Sequence, residues 1–339
     1  MSPQWKDFLA RQGLAADAES FGNLAAELAA AQDATVVVPL TDQGVLRASG
    51  EEAADFLHNL LTNDIKGLPA DSLRFAGMCT AKGRLLATFH VWRDAGDLLL
   101  QVSADILPAI LKKLSMYILR SKVKLADTGN DVVLLGISGP AAQAALAEIG
   151  AQAPATMQST AFAGGRVLGL DKSRFVLALS PQAAIDVWPR LAAKAKPAGV
   201  AAWRWLEIAA GQPRIEARTQ EAFVPQMMNM ELPAVGGVIF TKGCYPGQEI
   251  VARTQYLGKV KRRMYRAKLD SALPPGTDVF TPESGDQHCG ALVTVAPSPA
   301  GDYECLVVVQ SSGAEAGEIH VGSSNGPRLQ LLNLPYTVN

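Results

Sequence analysis

Residues 242–249 read Lys242-Gly243-Cys244-Tyr245-Pro246-Gly247-Gln248-Glu249, and the run continues through Val251 and Ala252 to Arg253. No other stretch of the chain restricts its backbone so tightly. Glycines at 243 and 247 bracket a single cysteine, and glycine is the residue that takes positive φ or lets another backbone come close. Pro246 suits the first position of a helix, where its missing N–H costs nothing. The spacing therefore predicts a tight turn that enters a helix at Pro246. Cys244 would lie just before the positive end of that helix, with the ammonium of Lys242 two residues away. That electropositive setting is the one in which cysteines react. A second reading stays open, because a free cysteine in a turn is commonly a small buried hydrophobe.

The remaining cysteines, Cys79, Cys289 and Cys305, lie in apolar, strand-like contexts and read as packing residues. The four cysteines form no C-x-x-C pair and the four histidines have no ligand spacing. This excludes a zinc finger, a sequence-local iron–sulfur site and a disulfide framework, and no metal ligands are nominated. With 31 basic and 32 acidic residues, a formal net charge of −1 gives no chain-wide nucleic-acid surface. The N-terminal residues lack the basic and apolar regions of a signal peptide, and no apolar run is long enough for a membrane span. A cytoplasmic protein without membrane contact is expected. No Walker-type loop and no G-x-G-x-x-G follows a strand.

At 339 residues the chain can form two or three domains. Residues 1–34 read as one or two amphipathic helices, an N-terminal helical appendage that acts as a lid or only solubilises. Residues 35–128 alternate short strands with helices near 50–61 and 104–118, an α+β module of ferredoxin-like type. Residues 129–255 partly repeat that order, with helices near 140–149 and 182–194, and carry the cysteine motif. From about residue 256 to 339, strands alternate with turns, no helix is evident, and a small β-barrel is expected. The fold class is α+β.

The octapeptide at 242–249 resembles the signature K-G-C-Y-x-G-Q-E of the YgfZ family, folate-binding proteins related to the T-protein (aminomethyltransferase) of the glycine cleavage system. Phe223-Val224-Pro225-Gln226 with Asn229 and Gly236-Gly237 fits the family's F-[IV]-P-Q-x-x-N…G-G run. Arg253, Gly258 and Lys261-Arg262 continue the match. The resemblance implies a three-domain, cloverleaf-like T-protein fold: two ferredoxin-like α+β modules and a C-terminal β-barrel. It implies tetrahydrofolate or a derivative as cofactor, with Cys244 as the essential thiol and Lys242, Gly243, Tyr245, Gly247, Gln248, Glu249 and Arg253 as its motif. It also implies a role in assembling or maintaining iron–sulfur clusters in client enzymes, including one that modifies tRNA. Nucleic acid would then be met only through such enzymes.

Several residues are candidates for holding the folate. Leu61-Thr62-Asn63-Asp64-Ile65 resembles the L-T-x-D-[IV] stretch of the superfamily, with Asn63 and Asp64 either pointing into a cavity or capping the chain. Ala81-Lys82-Gly83-Arg84 resembles its A-K-G-[KR] turn. There Lys82 and Arg84 suit a glutamyl tail, or else form a solvated hairpin tip. Gln226 and Asn229 belong to the same expected pocket. By its distance from Gly211, Trp203 occupies the place of a folate-contacting tryptophan, with Trp205 as its rival. The aromatic that some relatives carry near Gln43-Gly44 is absent. Ala87-Thr88 stand where the T-protein carries a pair of aspartates, and neither residue holds a charge or accepts a proton at neutral pH. That departure speaks against aminomethyl transfer, which remains the alternative, alongside a ligand-free scaffold of the same fold. A basic run, Lys259, Lys261, Arg262, Arg263 and Arg266, suits polyglutamate or phosphates, or a cation-rich edge strand.

Overall fold

The computed structural model describes residues 1–256 and 260–338. It is α+β, and the chain divides into two compact units, each assembled from separated stretches. The first contains Met1–Leu57, Ile65–Arg74 and Phe89–Trp203; the second contains His58–Asp64, Phe75–Thr88 and Arg204–Asn339. These units do not follow the chain-order division at residues 34, 128 and 255. The strands Leu73–Cys79 and Leu85–Asp94 each give residues to both, because long-range pairing, not adjacency in sequence, decides membership.

The first unit holds a six-stranded sheet in the order Lys196–Pro197, Val36–Pro39, Val133–Ser138, Arg174–Leu179, Gly165–Gly169, Ser159–Phe162. All its pairings are antiparallel except the first, Val36–Pro39 with Lys196–Pro197. Near-continuous runs such as Val133–Ser138 and Arg174–Leu179 are buried along their whole length, as a sheet covered on both faces requires. The helices Ala142–Glu148 and Pro181–Ala192 supply Ala145, Leu146, Val187, Trp188 and Leu191 to the same core. A second group of strands pairs Gln43–Ser49 with Asp97–Ser103 and with Lys124–Asp127, all antiparallel.

The N-terminal segment is not an appendage to this core. Its helix Pro3–Arg11 buries Trp5 and Leu9. Trp5 stacks on Phe8 at 5.4 Å between ring centroids and meets Trp188 edge-on at 6.0 Å. The second helix, Leu24–Asp33, is capped by Asn23, and its Glu27 accepts hydrogen bonds from the Phe21, Asn23 and Gly199 amides. The amphipathic spacing was legible, but the weight of the apolar face was not.

The second unit carries the C-terminal sheet, in the order His320–Val321, Asp278–Phe280, Gly290–Pro297, Tyr303–Gln310, Arg262–Leu269, Gln330–Leu332. The stretch just before the last strand bridges back to the first, with the Leu329 amide donating to the Ile319 carbonyl at 2.8 Å and the Val321 amide to the Pro327 carbonyl at 3.0 Å. Its core includes Ala267, Leu292, Cys305, Val307 and Val309. Two short helices interrupt it where none was expected, the 3-10 turn Pro282–Ser284 and the helix Ser311–Ala316. Cys79, Cys289 and Cys305 are all buried, as their apolar contexts predict. Among the described residues no helix is long and apolar enough to cross a membrane.

Because Trp5 is a core residue, Trp5→Ala should cost about 3–5 kcal/mol of the first unit's stability. Urea denaturation followed by far-UV circular dichroism measures this; an unchanged midpoint would return the helix to the status of an appendage.

Candidate functional site

The motif and most of its nominated neighbours lie in the second unit. The helix begins later than the sequence predicts, at Gln248, and runs to Tyr256. The amide of Gln248 donates to the carbonyl of Tyr245 at 3.1 Å, and Gly247 has φ +81°. Residues 245–248 therefore form a turn with proline second and a positive-φ glycine third, the requirements of a type II turn. Pro246 serves that turn and not the first helical position. Cys244 consequently stands two residues further from the helix's positive end than expected.

Gly247 is required by contact as well as by φ. A β-carbon there would lie 2.4 Å from the Thr80 carbonyl oxygen and 2.6 Å from the backbone of Gly83. Gly83, at φ +71°, closes the turn of residues 80–83 by donating its amide to the Thr80 carbonyl at 2.9 Å. The Ala81-Lys82-Gly83 turn and the cysteine loop thus touch backbone to backbone. Gly243 differs. Its φ is not positive, and a β-carbon on it would meet nothing within 4 Å. The expected need for glycine at that position is not there.

Lys242 anchors the other end of the loop. Its Nζ donates to the backbone carbonyls of His58 at 2.6 Å and Leu61 at 2.9 Å, and lies 4.7 Å from the ring centroid of Tyr245. Burial lowers its pKa from 10.5 to about 8, against the opposing pull of the Asp64 carboxylate and the Cys244 sulfur. Gln248 Nε2 reaches back to the Lys242 carbonyl at 3.4 Å. Tyr245 is buried, and its hydroxyl has no hydrogen-bond partner. Burial, with the nearby Cys79, pushes that phenol well above its ordinary range. Burial alone pushes the Cys79 thiol up to about 12. Between these fixed points Cys244 is exposed, the one exposed cysteine of the four. The reading of Cys244 as a buried hydrophobe is overturned. Glu249 and Arg253, on the helix, and Lys82, at the turn, are also exposed.

The residues nominated for folate are engaged with their own chain. Asn63 is buried; its Nδ2 donates to the carbonyls of Phe75 and Gly236, both at 2.8 Å, and its Oδ1 accepts from the Asp64 amide. Asp64 faces His58, with 3.0 Å between Oδ1 and Nδ1. Arg84 donates to the Ala222 carbonyl at 2.5 Å. Gln226 Nε2 donates to the Val251 carbonyl at 2.7 Å, while its Oε1 is buried without a partner. Asn229, in the left-handed region at φ 56°, clamps Met264 through both amide atoms. Trp203 belongs to the first unit, where its six-membered ring lies so close to Gly136 that a β-carbon there would approach to 2.5 Å. Its rival Trp205 has a buried Nε1–H with no partner, and so does Gln212 at Nε2. The sequence missed Gln212. Its spacing from Gly211 was visible, but nothing in the spacing marks an amide left without a partner.

Trp205 and Gln212 thus keep buried N–H donors open, whereas the amides of Asn63 and Asn229 are taken up by backbone carbonyls. At the place expected for aspartates, Ala87 and Thr88 are both buried, and Thr88 Oγ1 accepts from the Ile215 amide at 3.2 Å. In the first unit, Gln43 and Gly44 line a cavity of about 190 Å³ that Trp5 also lines, so an aromatic reaches that side from the N-terminal helix. Among the described residues no three His, Cys, Asp or Glu side chains group as a metal site.

Two members of the basic run are paired, Arg263 with Glu231 and Arg266 with Glu304 at 2.6 Å, and further along the strand Lys268 pairs with Asp302 at 3.0 Å. The strand Arg262–Leu269 lies between two others and is not an edge. Gly258 and Lys259, which continue the motif and the basic run, lie outside the described residues.

Residues 4–232 match the family described as GCVT N-terminal domain. The chain is 33% identical over 308 residues to the tRNA-modifying protein YgfZ of Yersinia pseudotuberculosis serotype IB, covering 89% of this chain and 92% of that protein. It is 29% identical to the protein of the same name from Colwellia psychrerythraea, over 90% and 94% of the two chains. The fold is similar to that of glycine cleavage system aminomethyltransferase T from Bartonella henselae. The TM-score is 0.79 at 17% identity, with 99% of this chain and 98% of that one covered.

Two substitutions separate the glycines. Gly247→Ala should cost at least about 1–3 kcal/mol from backbone strain, whereas Gly243→Ala should stay within about 0.5 kcal/mol; urea midpoints report both. For Lys242 the folded pKa of about 8 lies below the unfolded 10.5. Between those values the unfolded chain binds more protons, so stability rises with pH. The stability of the native chain relative to Lys242→Met should therefore increase from pH 8 to pH 10. A flat difference would show that the ammonium is not held in a buried place.

Proposed function

The chain belongs to the GCVT N-terminal domain family and, within it, to the relatives named YgfZ, and on that premise we propose that it is an accessory protein of tRNA modification acting through Cys244. The single observation that carries this reading is the presentation of that thiol. Of four cysteines, three are buried and one is exposed, on a loop fixed at one end by Lys242 and at the other by the contact of Gly247 with Gly83. A rigidly held, solvent-facing sulfur next to a lysine suits transient contact with a partner's sulfur or iron. The client enzymes are proposed to be iron–sulfur proteins, including one that modifies tRNA, as the resemblance at 242–249 implies. The cluster is then cargo belonging to the client.

Tetrahydrofolate or a derivative is the proposed cofactor. The buried, unpartnered donors of Trp205 and Gln212 support it and are the groups that would meet a pterin. When bound, the folate would supply a carrier of one-carbon groups. The absence of a carboxylate at 87–88 favours an accessory role over aminomethyl transfer.

The first test is Cys244→Ser, with methylthiolated nucleosides in digested cellular tRNA measured by mass spectrometry. Cells carrying the variant should match cells lacking the protein, while the purified variant keeps its unfolding midpoint; full retention of the modification would remove Cys244 from the function. The second is calorimetric titration with tetrahydrofolate. Binding should be saturable and should weaken about ten-fold in Trp205→Phe, which keeps the aromatic ring and deletes the donor. No binding to the native chain would leave a scaffold without cofactor.

A further inference from the structure

On the second unit a cleft of about 960 Å³ is lined by Glu231, Leu232, Pro233, Lys261, Arg263 and Glu315, among others. That volume lies within the range of small-molecule sites. Its wall holds a charge whose hydrogen bonding is incomplete. The Glu231 side chain is 4% exposed, and its Oε1 is taken by Arg263 Nη1, which also donates to the Gln226 carbonyl at 3.2 Å. Glu231 Oε2 is buried and accepts nothing. A buried carboxylate oxygen without a donor is costly, because its desolvation is not repaid by a hydrogen bond.

We propose that this cleft binds an alkyl-guanidinium or alkyl-ammonium group, whose N–H completes Glu231 Oε2 while its methylene stem lies along Leu232 and Pro233. The charge of Arg263 is already matched by Glu231, so it does not oppose a second cation. Glu315, exposed at the rim, offsets Lys261, so the charged side chains of the lining balance. Such a group occurs both in free amines and in the arginine or lysine side chains of a partner protein. The shared chemistry is a cationic N–H donor on an aliphatic chain.

The test is titration of the full chain with agmatine and, separately, with the capped tripeptide acetyl-Ala-Arg-Ala-amide, followed by calorimetry at low salt. Saturable binding of agmatine, weakened about ten-fold or more in Glu231→Gln and less in Glu315→Gln, is expected, since losing a charge-assisted hydrogen bond costs roughly that much. Equal or tighter binding of the peptide identifies a protein side chain as the source; binding of agmatine alone identifies a free amine. Should Glu231→Gln unfold, a nuclear Overhauser effect between the agmatine methylenes and the Leu232 methyls in the native chain decides the matter. No saturation up to about 100 mM, a free energy below about 1.4 kcal/mol, or binding unchanged in folded Glu231→Gln, or no such Overhauser effect, overturns the proposal.

Discussion

The backbone of residue 247 rests directly on that of residues 80–83, and the presentation of the cysteine depends on it. With a hydrogen where any other residue carries a β-carbon, the turn 245–248 can close against Thr80 and Gly83. The closed turn fixes where the helix Gln248–Tyr256 begins and where the Gln248 side chain reaches back to Lys242. Lys242 completes the clamp by spending its ammonium on two carbonyls. That ammonium is held at a cost, since half-burial disfavours its charge, and the Asp64 carboxylate recovers only part of it. The loop is rigid because a steric requirement and an electrostatic one meet within six residues.

Local chemistry was legible in the sequence, and long-range partnership was not. The glycine-bracketed turn could be read from residue types, as could the burial of Cys79, Cys289 and Cys305. The helix start was misplaced by two residues because proline followed by glycine also suits a type II turn. Asn63, Gln226 and Asn229 looked like ligand groups, yet Asn229 satisfies distant backbone atoms with both ends of its amide, Gln226 with one, and Asn63 with its Nδ2 while its Oδ1 takes the amide of the next residue. An amide's residue type does not reveal whether its partner will be a carbonyl of residue 236, a carbonyl of residue 264 or a small molecule. Trp203 and Trp205 stand two positions apart, and only the structure separates a ring packed on Gly136 from an indole N–H left without a partner.

The same limit explains the C-terminal sheet. Its alternating strands were visible, but which of them pair was not. Cations along Arg262–Leu269 suggested an edge because their anions, Glu231, Asp302 and Glu304, lie more than thirty residues away in sequence. Along that strand Arg263, Arg266 and Lys268 are internal and compensated. The net charge of −1 is thus reached partly pair by pair.

The interleaving of the two units has a consequence for how the chain is made. Residues 58–64 and 75–88 leave the ribosome early, but the rest of their compact unit is residues 204–339. Loops of that length close at a cost that delays assembly. Leu61, Phe75, Met78 and Leu85 are apolar and buried in the finished structure, so during synthesis part of their cover is missing until residues 204–339 appear. The nascent chain is therefore at its most adhesive when it is more than half made, and a cell producing it quickly would have to shelter that intermediate.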